Sequence, residues 1–447
     1  MAIAVFDIGK TNMKLSLVDA GAIRHTLAKP NVSLPAPPYL HFDADATWRF
    51  LLQGLRKLGA MAPISDIVVV AHGAAGALVD AAGELALPML DYEQPLDDPE
   101  FDRVAAPFAE TYTPKMANGL VFGRQVHWQA QNFPEAFART KYIFGHPQYW
   151  SFRLSGVPSS EITSLACHTG FWRPEAGTFS SFVDRMGWRD LFPPLLKADD
   201  VLGPILPSVQ RETGLPADCR VRVGIHDSSA SFLRHRLARP MPFAVASTGT
   251  WVVCMAAGAD PKGLPENRNC LVNVDALGSP VPCCNFMGGR EFARLTEGLN
   301  GAITNLDAVS MVVEQGQILV PPLGDDGGPF DGRKHGGPRG VVPDSDEQAV
   351  ARASLYLALM TDYCFELLKA KGPVIVEGSL IGNQAYLGAL ASLRQPAPVL
   401  VSSDATGTVS GAATLAGERI PEELATVEPY DLPLPGYRRT WREALPA

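Results

Sequence analysis

Short apolar runs that stop on polar or small residues recur along this chain. Residues 3–6 are a β-rich apolar run, and Met13-Lys14-Leu15-Ser16-Leu17-Val18 alternates with the period of a half-buried strand. A third strand is predicted over 22–27, after the Ala20-Gly21 turn. Trp48, Leu51, Leu52, Leu55 and Leu58 recur at helical spacing, which predicts a helix over 44–58. The continuous apolar run 67–71 predicts a buried strand ending at His72-Gly73-Ala74-Ala75-Gly76. Glycine there permits either close approach of a ligand to backbone or simply a tight turn. Two strands are predicted over 78–87, and short helical segments over 100–109, 126–130, 134–140 and 147–154 make the middle of the chain mostly α.

The second half repeats the opening pattern. A strand over 243–246, the turn Ser247-Thr248-Gly249-Thr250 and a strand over 251–255 mirror the strand, turn and strand at the amino terminus. Two such units are either an internal duplication, with two lobes facing one another across a cleft, or unrelated hairpins. Gly288-Gly289-Arg290-Glu291 opens a helix whose start is a candidate nucleotide or anion contact. Residues 323–343, rich in Gly, Pro and Asp, predict a surface loop, either a lid or a disordered stretch, with His335 solvated. A long helix is predicted over 347–370. A strand over 373–376 then runs into Glu377-Gly378-Ser379-Leu380-Ile381-Gly382-Asn383, a turn that can bring backbone against a nucleotide. A strand over 399–401 and a helix over 407–416, lined with small residues for tight packing, complete the pattern.

With 447 residues, 46% of them hydrophobic and 19% charged, the chain has material for two or three compact domains. A net charge of −9 disfavours a nucleic-acid partner, whose binding runs on clustered Lys and Arg. An anionic small ligand stays compatible, because local backbone N–H nests bind phosphate even on an acidic protein. The opening residues lack a basic n-region and a long apolar stretch, and no apolar run reaches membrane-spanning length, so a cytoplasmic protein without a membrane partner is expected. Seven scattered cysteines fit reduced thiols, and Cys283-Cys284, pointing apart on a strand, gives no zinc pattern. Neither a heptad nor a surface apolar stripe sets the oligomeric state, which leaves a homodimer open.

Three stretches carry candidate chemistry. Val223-Gly224-Ile225-His226-Asp227-Ser228-Ser229-Ala230-Ser231 places a carboxylate at the mouth of a strand, where Asp227 can cap a helix or act in a ligand site at the sheet rim. Asp7-Ile8-Gly9-Lys10-Thr11-Asn12, with Lys14, is either an ordinary hairpin turn or a tip that gathers cations and polar groups around phosphate. No G-x-x-x-x-G-K-[ST] occurs, so a Walker-type site is not expected. Gln125, His127, Trp128, Gln131, Tyr149 and Trp150, with Tyr92 and Glu93, form a polar-aromatic group that suits either a polyol or a core.

The linear order D-x-G-x-T-x-x-K, strand-end Asp, S-T-G-T-W, strand–Gly–helix resembles the FGGY carbohydrate kinases of the actin-like ATPase superfamily across essentially the whole chain. A literal Phe-Gly-Gly-Tyr is absent. The His226-Asp227-Ser228 stretch is most similar to the rhamnulose and fuculose kinase branch. The resemblance implies an α/β fold of two actin-like (ribonuclease H-like) domains facing each other across a central cleft. Residues 1–240 would hold the sugar and the first phosphate element, and 241–447 the ATP. It implies ATP-dependent phosphorylation of the C1 hydroxyl of a 6-deoxyketohexose, with Asp227 as catalytic base and Mg²⁺ tethered through Asp7. Nucleotide contacts would come from Asp7, Gly9, Lys10, Thr11, Asn12, Lys14, Thr248, Gly249, Thr250, Gly288, Gly378, Ser379 and Asn383. Sugar contacts would come from His72, Gly73, Asp91, Tyr92, Gln125, Trp128, Tyr149, His226, Asp227 and Asn273. Two rivals stand beside this: a ketopentose (xylulose or ribulose) kinase, and an actin-like ATP-binding scaffold or chaperone.

Overall fold

The computed structural model describes residues 2–299, 304–324, 327–334, 336–402 and 407–446. His335 lies outside the described residues. The chain divides into two compact units: Met1–Ala238 with Val272–Pro280 and Thr406–Pro421, and Arg239–Leu271 with Val281–Ala405 and Glu422–Ala447. The units are therefore not two contiguous halves of sequence. Helix Gly407–Thr414 belongs to the first unit because its small residues let it lie directly on helix Asp227–Ala238. A Cβ at Gly411 would stand 1.7 Å from the carbonyl oxygen of Ala230.

The sheet of the first unit runs Val201–Pro204, Arg220–Arg222, Ile64–Ala71, Ala2–Ile8, Asn12–Asp19, Ala22–Pro30, with Ile225–His226 also on Ile64–Ala71. Ala2–Ile8 and Asn12–Asp19 are the predicted antiparallel hairpin, while Ile64–Ala71 lies parallel to Ala2–Ile8. Helix Ala44–Gly59 covers one face with Leu51, Leu52, Leu55 and Leu58, all buried against Leu15 and Ile67 in one core. Asp43 starts it, its carboxylate accepting the N–H of Ala46 at 2.8 Å, and Arg56 and Lys57 sit in the last turn, where the helix dipole favours cations.

The mid-chain expectation of mostly helix needs a correction. Thr140–Gly145 is a strand, antiparallel to Gly76–Asp80, in a sheet completed by Leu85–Leu87. Tyr142, Ile143 and Phe144 are strand formers, and Pro147 places the next helix, His146–Ser155, after them rather than through them. Within 323–343, Gly337–Arg339 pairs antiparallel with Ile318–Val320, so part of that loop is strand.

In the second unit, Pro280–Phe286, Val252–Ala257, Phe243–Thr248, Val374–Gly378, Val399–Ser402 and Leu424–Thr426 follow one another across a sheet. Phe243–Thr248 pairs antiparallel with Val252–Ala257 and parallel with Val374–Gly378. This is the connection made by Ala2–Ile8 in the first unit, so the two hairpins hold equivalent places in their sheets. All seven cysteines are buried, and among the described residues none forms a disulfide. Cys270, Cys284, Cys364 and Cys254 adjoin one another in the second unit, and burial raises the thiol pKa of Cys254, Cys284 and Cys364, so these thiols stay protonated. Among the described residues no helix is long and apolar enough to cross a membrane.

Candidate active site

In the first unit three parallel strands end level with one another. Asp7 is in register with Val70, Ile225 with Val70, and His226 with Ala71. Asp7, His72 and Asp227 are thereby delivered to one edge, the carboxyl end at which open α/β sheets bind ligands. Gly224 allows the strand to come this close. Its φ is 89°, and a Cβ there would meet the Val69 carbonyl oxygen at 2.5 Å.

Asp227 is the first residue of helix Asp227–Ala238, but its carboxylate does not cap in the usual way. Oδ1 accepts the N–H of the next residue, Ser228, at 2.5 Å and its hydroxyl at 3.2 Å, and faces Nε2 of His226 at 3.1 Å. An N-cap instead accepts from residues two or three positions on. Among the described residues nothing donates to Oδ2, and the side chain keeps 29% of its surface exposed. One oxygen is held and the other is available.

Asp7 faces this acid. Burial, then the charge of Asp227, push the Asp7 carboxyl up to about 7, and Lys14 offsets only part of that. Thr11, Asn12 and Lys14 are exposed at the hairpin, and the N–H of Gly9 is turned onto the carbonyl of Asn12 at 3.0 Å. Lys10 points elsewhere. It forms an ion pair with buried Asp91, lies 3.4 Å from Glu93, and sits over the rings of Tyr92 and Phe42 at 4.7 and 5.2 Å. Asp91 also accepts from Ser33 and from the N–H of Glu93. Lys10 thus joins the phosphate-type turn to the segment in which sugar contacts are expected.

Behind the acids lies a set of buried histidines. Burial holds His72, His146 and His226 below the usual imidazole range and takes His168 down to about 4, so these rings are neutral near pH 7. His72 stacks edge-on to His146 at 4.7 Å and to Tyr92 at 5.7 Å, with Nδ1 on the Gly73 carbonyl and Nε2 buried without a hydrogen-bond partner among the described residues. Asn273 is also buried, its Oδ1 without a hydrogen-bond partner among the described residues. Sequence reasoning missed two residues here. Thr163 accepts the backbone N–H of His226, and Cys167 lies 3.2 Å from its Nε2. No spacing rule links positions 59 residues apart.

Three other expected sugar contacts are engaged within the fold. Gln125 donates to the carbonyls of Ala74 and Gly119, Trp128 packs on Tyr39 and Phe133, and buried Tyr149 accepts from Arg153. In the second unit, the turn after Phe243–Thr248 is closely cradled. A Cβ at Gly289 would stand 2.0 Å from the Gly249 carbonyl, and one at Gly378 would stand 1.9 Å from that of Thr248. Gly288 begins the helix Gly288–Leu295 beside this turn. The Thr248 hydroxyl donates to Glu377 and accepts from Leu380, Gly249 N–H is turned onto the Trp251 carbonyl, and the Thr250 carbonyl accepts from Arg290. Ser379 is exposed, while Asn383 caps helix Gln384–Arg394 through Tyr386 N–H and donates to Ser354.

Residues 240–424 match the family described as "Carbohydrate kinase FGGY, C-terminal domain". The crystal structure of a carbohydrate kinase from Novosphingobium aromaticivorans superposes with a TM-score of 0.90 at 36% identity, covering 99% of this chain and 98% of that one. The chain belongs to the FGGY carbohydrate kinase family. Like that relative, this FGGY protein has the actin-like two-domain fold. L-fuculokinase of Escherichia coli (strain K12) is 23% identical over 269 residues, 58% of this chain and 57% of the length of that enzyme. The fold is shared as well with xylulose kinase from Rhodospirillum rubrum, at a TM-score of 0.84 and 18% identity over 99% of this chain and 97% of that one.

Proposed function

We propose that the chain is an ATP-dependent sugar kinase that phosphorylates the C1 hydroxyl of a 6-deoxyketohexose of the L-rhamnulose or L-fuculose type. The observation that carries the reading is the split of roles on Asp227. Oδ1 is held by Ser228 and faces His226, while Oδ2, at the carboxyl edge of the parallel strands, has no donor among the described residues. A carboxylate fixed by one oxygen and available through the other is placed to accept a hydroxyl proton.

In the proposed reaction the acceptor hydroxyl passes its proton to Oδ2 as its oxygen bonds to the γ-phosphorus, the bond from that phosphorus to the β-bridging oxygen breaks, and ADP leaves. The transition state is loose, so catalysis rests on positioning and on charge offset at the phosphoryl oxygens. In the first unit Thr11, Asn12 and Lys14, exposed at the hairpin, suit contacts to phosphate; in the second unit, taken by itself, the backbone of residues 248–250 suits contacts to a nucleotide. Gly378 and Gly289, where no side chain fits, let the strand end and the helix start pack directly on that turn and fix its backbone. His72, Tyr92 and Asn273 supply the polar contacts to the sugar, with Lys10 and Asp91 behind them.

The surroundings of Asp7 fit Mg²⁺. Two carboxylates face one another with Lys14 as partial compensation, a charge balance that a hard divalent cation completes. Among the described residues no group of three or more His, Cys, Asp or Glu is arranged to hold a metal. When bound, Mg²⁺ offsets the β/γ charge.

The test is sugar-stimulated ADP release across a ketose panel. Turnover with L-rhamnulose or L-fuculose at least tenfold above D-xylulose and D-ribulose supports the reading. Preference for a ketopentose moves the substrate class, since one CH₃ or CH₂OH is worth only ~1–3 kcal/mol of discrimination. ATP hydrolysis that no sugar stimulates returns the protein to the scaffold class.

A further inference from the structure

Helix Ile162–Ala166 holds His226 at two points. From its first turn, Thr163 Oγ1 accepts the backbone N–H of His226 at 3.1 Å. From its C-cap, Cys167 brings Sγ to 3.2 Å from Nε2, the nitrogen that also faces Oδ1 of Asp227. The helix is itself anchored. Buried Glu161 accepts the N–H groups of Thr163 and Ser164 at 3.0 and 3.1 Å and the Thr163 hydroxyl at 2.6 Å. Gly73 closes another side of the ring. A Cβ there would lie 2.8 Å from Cys167 Sγ and 2.9 Å from His226 Nε2, so thiol and imidazole lie against bare backbone. The remaining polar contact, Nδ1 to Ser229 Oγ, is 3.4 Å long and does little to fix the ring.

A neutral imidazole carries one N–H, and two neighbours meet it at Nε2. With the proton there, the carboxylate is the stronger acceptor and sulfur the weaker. The thiol therefore occupies the place beside the hydrogen bond without drawing the proton away from Asp227. Were that place empty, the ring would be free to rotate about its last side-chain bond and leave Oδ1.

We propose that Cys167 is a positioning residue for phosphoryl transfer: its thiol holds the His226 imidazole with Nε2–H on Oδ1 of Asp227, so that Oδ2 alone is presented to the acceptor hydroxyl. This rests on Asp227 being the base, and the experiment separates the two. Steady-state kinetics with ATP and the best ketose are measured for Cys167→Ala, Cys167→Val, Cys167→Ser, His226→Ala and the double variant Cys167→Ala/His226→Ala, with Asp227→Asn beside them. The expected result is a roughly tenfold lower kcat for Ala, the size of one hydrogen bond, with KM for ATP within twofold of wild type. Ser, which keeps a polar atom at this position, recovers part of the loss. In the His226→Ala background, removing the thiol lowers kcat no further, because the ring that it positions is gone. Should the Ala variant be too unstable to assay, Val fills the space without a hydrogen-bonding atom and must show the same loss. A kcat within twofold of wild type in the Ala or Val variant overturns the proposal, as does the same loss persisting without His226. If Asp227→Asn is inactive in either of those cases, the kinase reading stands and only the role of Cys167 falls. If Asp227→Asn turns over normally, both fall.

Discussion

Nε2 of His226 stands 3.1 Å from Oδ1 of Asp227, the same oxygen that takes the backbone N–H of Ser228. The arrangement makes the carboxylate asymmetric, and a change at the acid tests it directly. Asp227→Asn keeps an acceptor for Ser228 but has no oxygen able to take a proton. Turnover should fall by roughly 10²–10⁴-fold, the usual contribution of a general base, with nucleotide affinity unchanged. Initial rates alongside a nucleotide titration check both halves, and near-normal turnover would remove Asp227 from the role.

Gly73→Ala should harm catalysis more than nucleotide binding. The added methyl falls inside 3.0 Å of both Cys167 Sγ and His226 Nε2, so the imidazole must move off Asp227. Overpacking of this kind costs about 1–3 kcal/mol. A kcat at least tenfold down with a modest loss in melting temperature is expected, and unchanged kcat with lowered stability would show that the ring did not need its position.

Lys10 and Asp91 are 81 residues apart and form an ion pair whose carboxylate is fully buried. Among the described residues, Lys10→Met leaves that charge with the Ser33 hydroxyl and the backbone N–H of Glu93 as its donors. The lysine side chain is 23% exposed, so the cost should be about 2 kcal/mol, below the 3–5 kcal/mol typical of a wholly buried pair. Adding Asp91→Asn should return most of it. Denaturant unfolding of the two single variants and the double variant decides, and additive losses would mean the pair is not coupled.

Acid and neutral pH should act in opposite senses on two groups. Burial, against its four donors, pushes the Glu161 carboxyl up to about 7 from 4.5, so the folded state favours its protonated form. That contribution is complete below about 4.5 and is lost as pH rises through about 7, a change of up to ~3 kcal/mol. His168, brought down to about 4, contributes stability above its ordinary 6.5 that is lost as pH falls toward 4. Subtracting the melting profile of Glu161→Gln from that of wild type isolates the first effect. A flat difference between pH 4.5 and 7 would contradict it.

Much of the scaffold was readable in order. The hairpin Ala2–Ile8 with Asn12–Asp19, the helix Ala44–Gly59 and the strand–turn–strand around 248–250 follow from side-chain period and from Gly and Thr at tips, which are local properties. The strand Thr140–Gly145, between the predicted helices 134–140 and 147–154, does not stand out in the sequence because a short apolar segment does not reveal its own period, and its pairing with Gly76–Asp80 decides the matter. Gln125 and Tyr149 have the chemistry of sugar ligands, and the tertiary structure adds that both are buried, with backbone carbonyls and an arginine as partners.

By itself the sequence determined that an acid follows a buried strand at 227, that another precedes a glycine turn at 7, and that the order of these elements is that of a sugar kinase. Local period and turn chemistry are written in consecutive residues, so they can be read from them. Only the tertiary structure decided that Cys167 meets His226, that Lys10 turns to Asp91 instead of standing free at the hairpin tip, and that among the described residues one oxygen of Asp227 is held while the other is not. Those are contacts between segments far apart along the chain, set by strand register and by glycines that allow backbones to touch, and no spacing in the sequence encodes them.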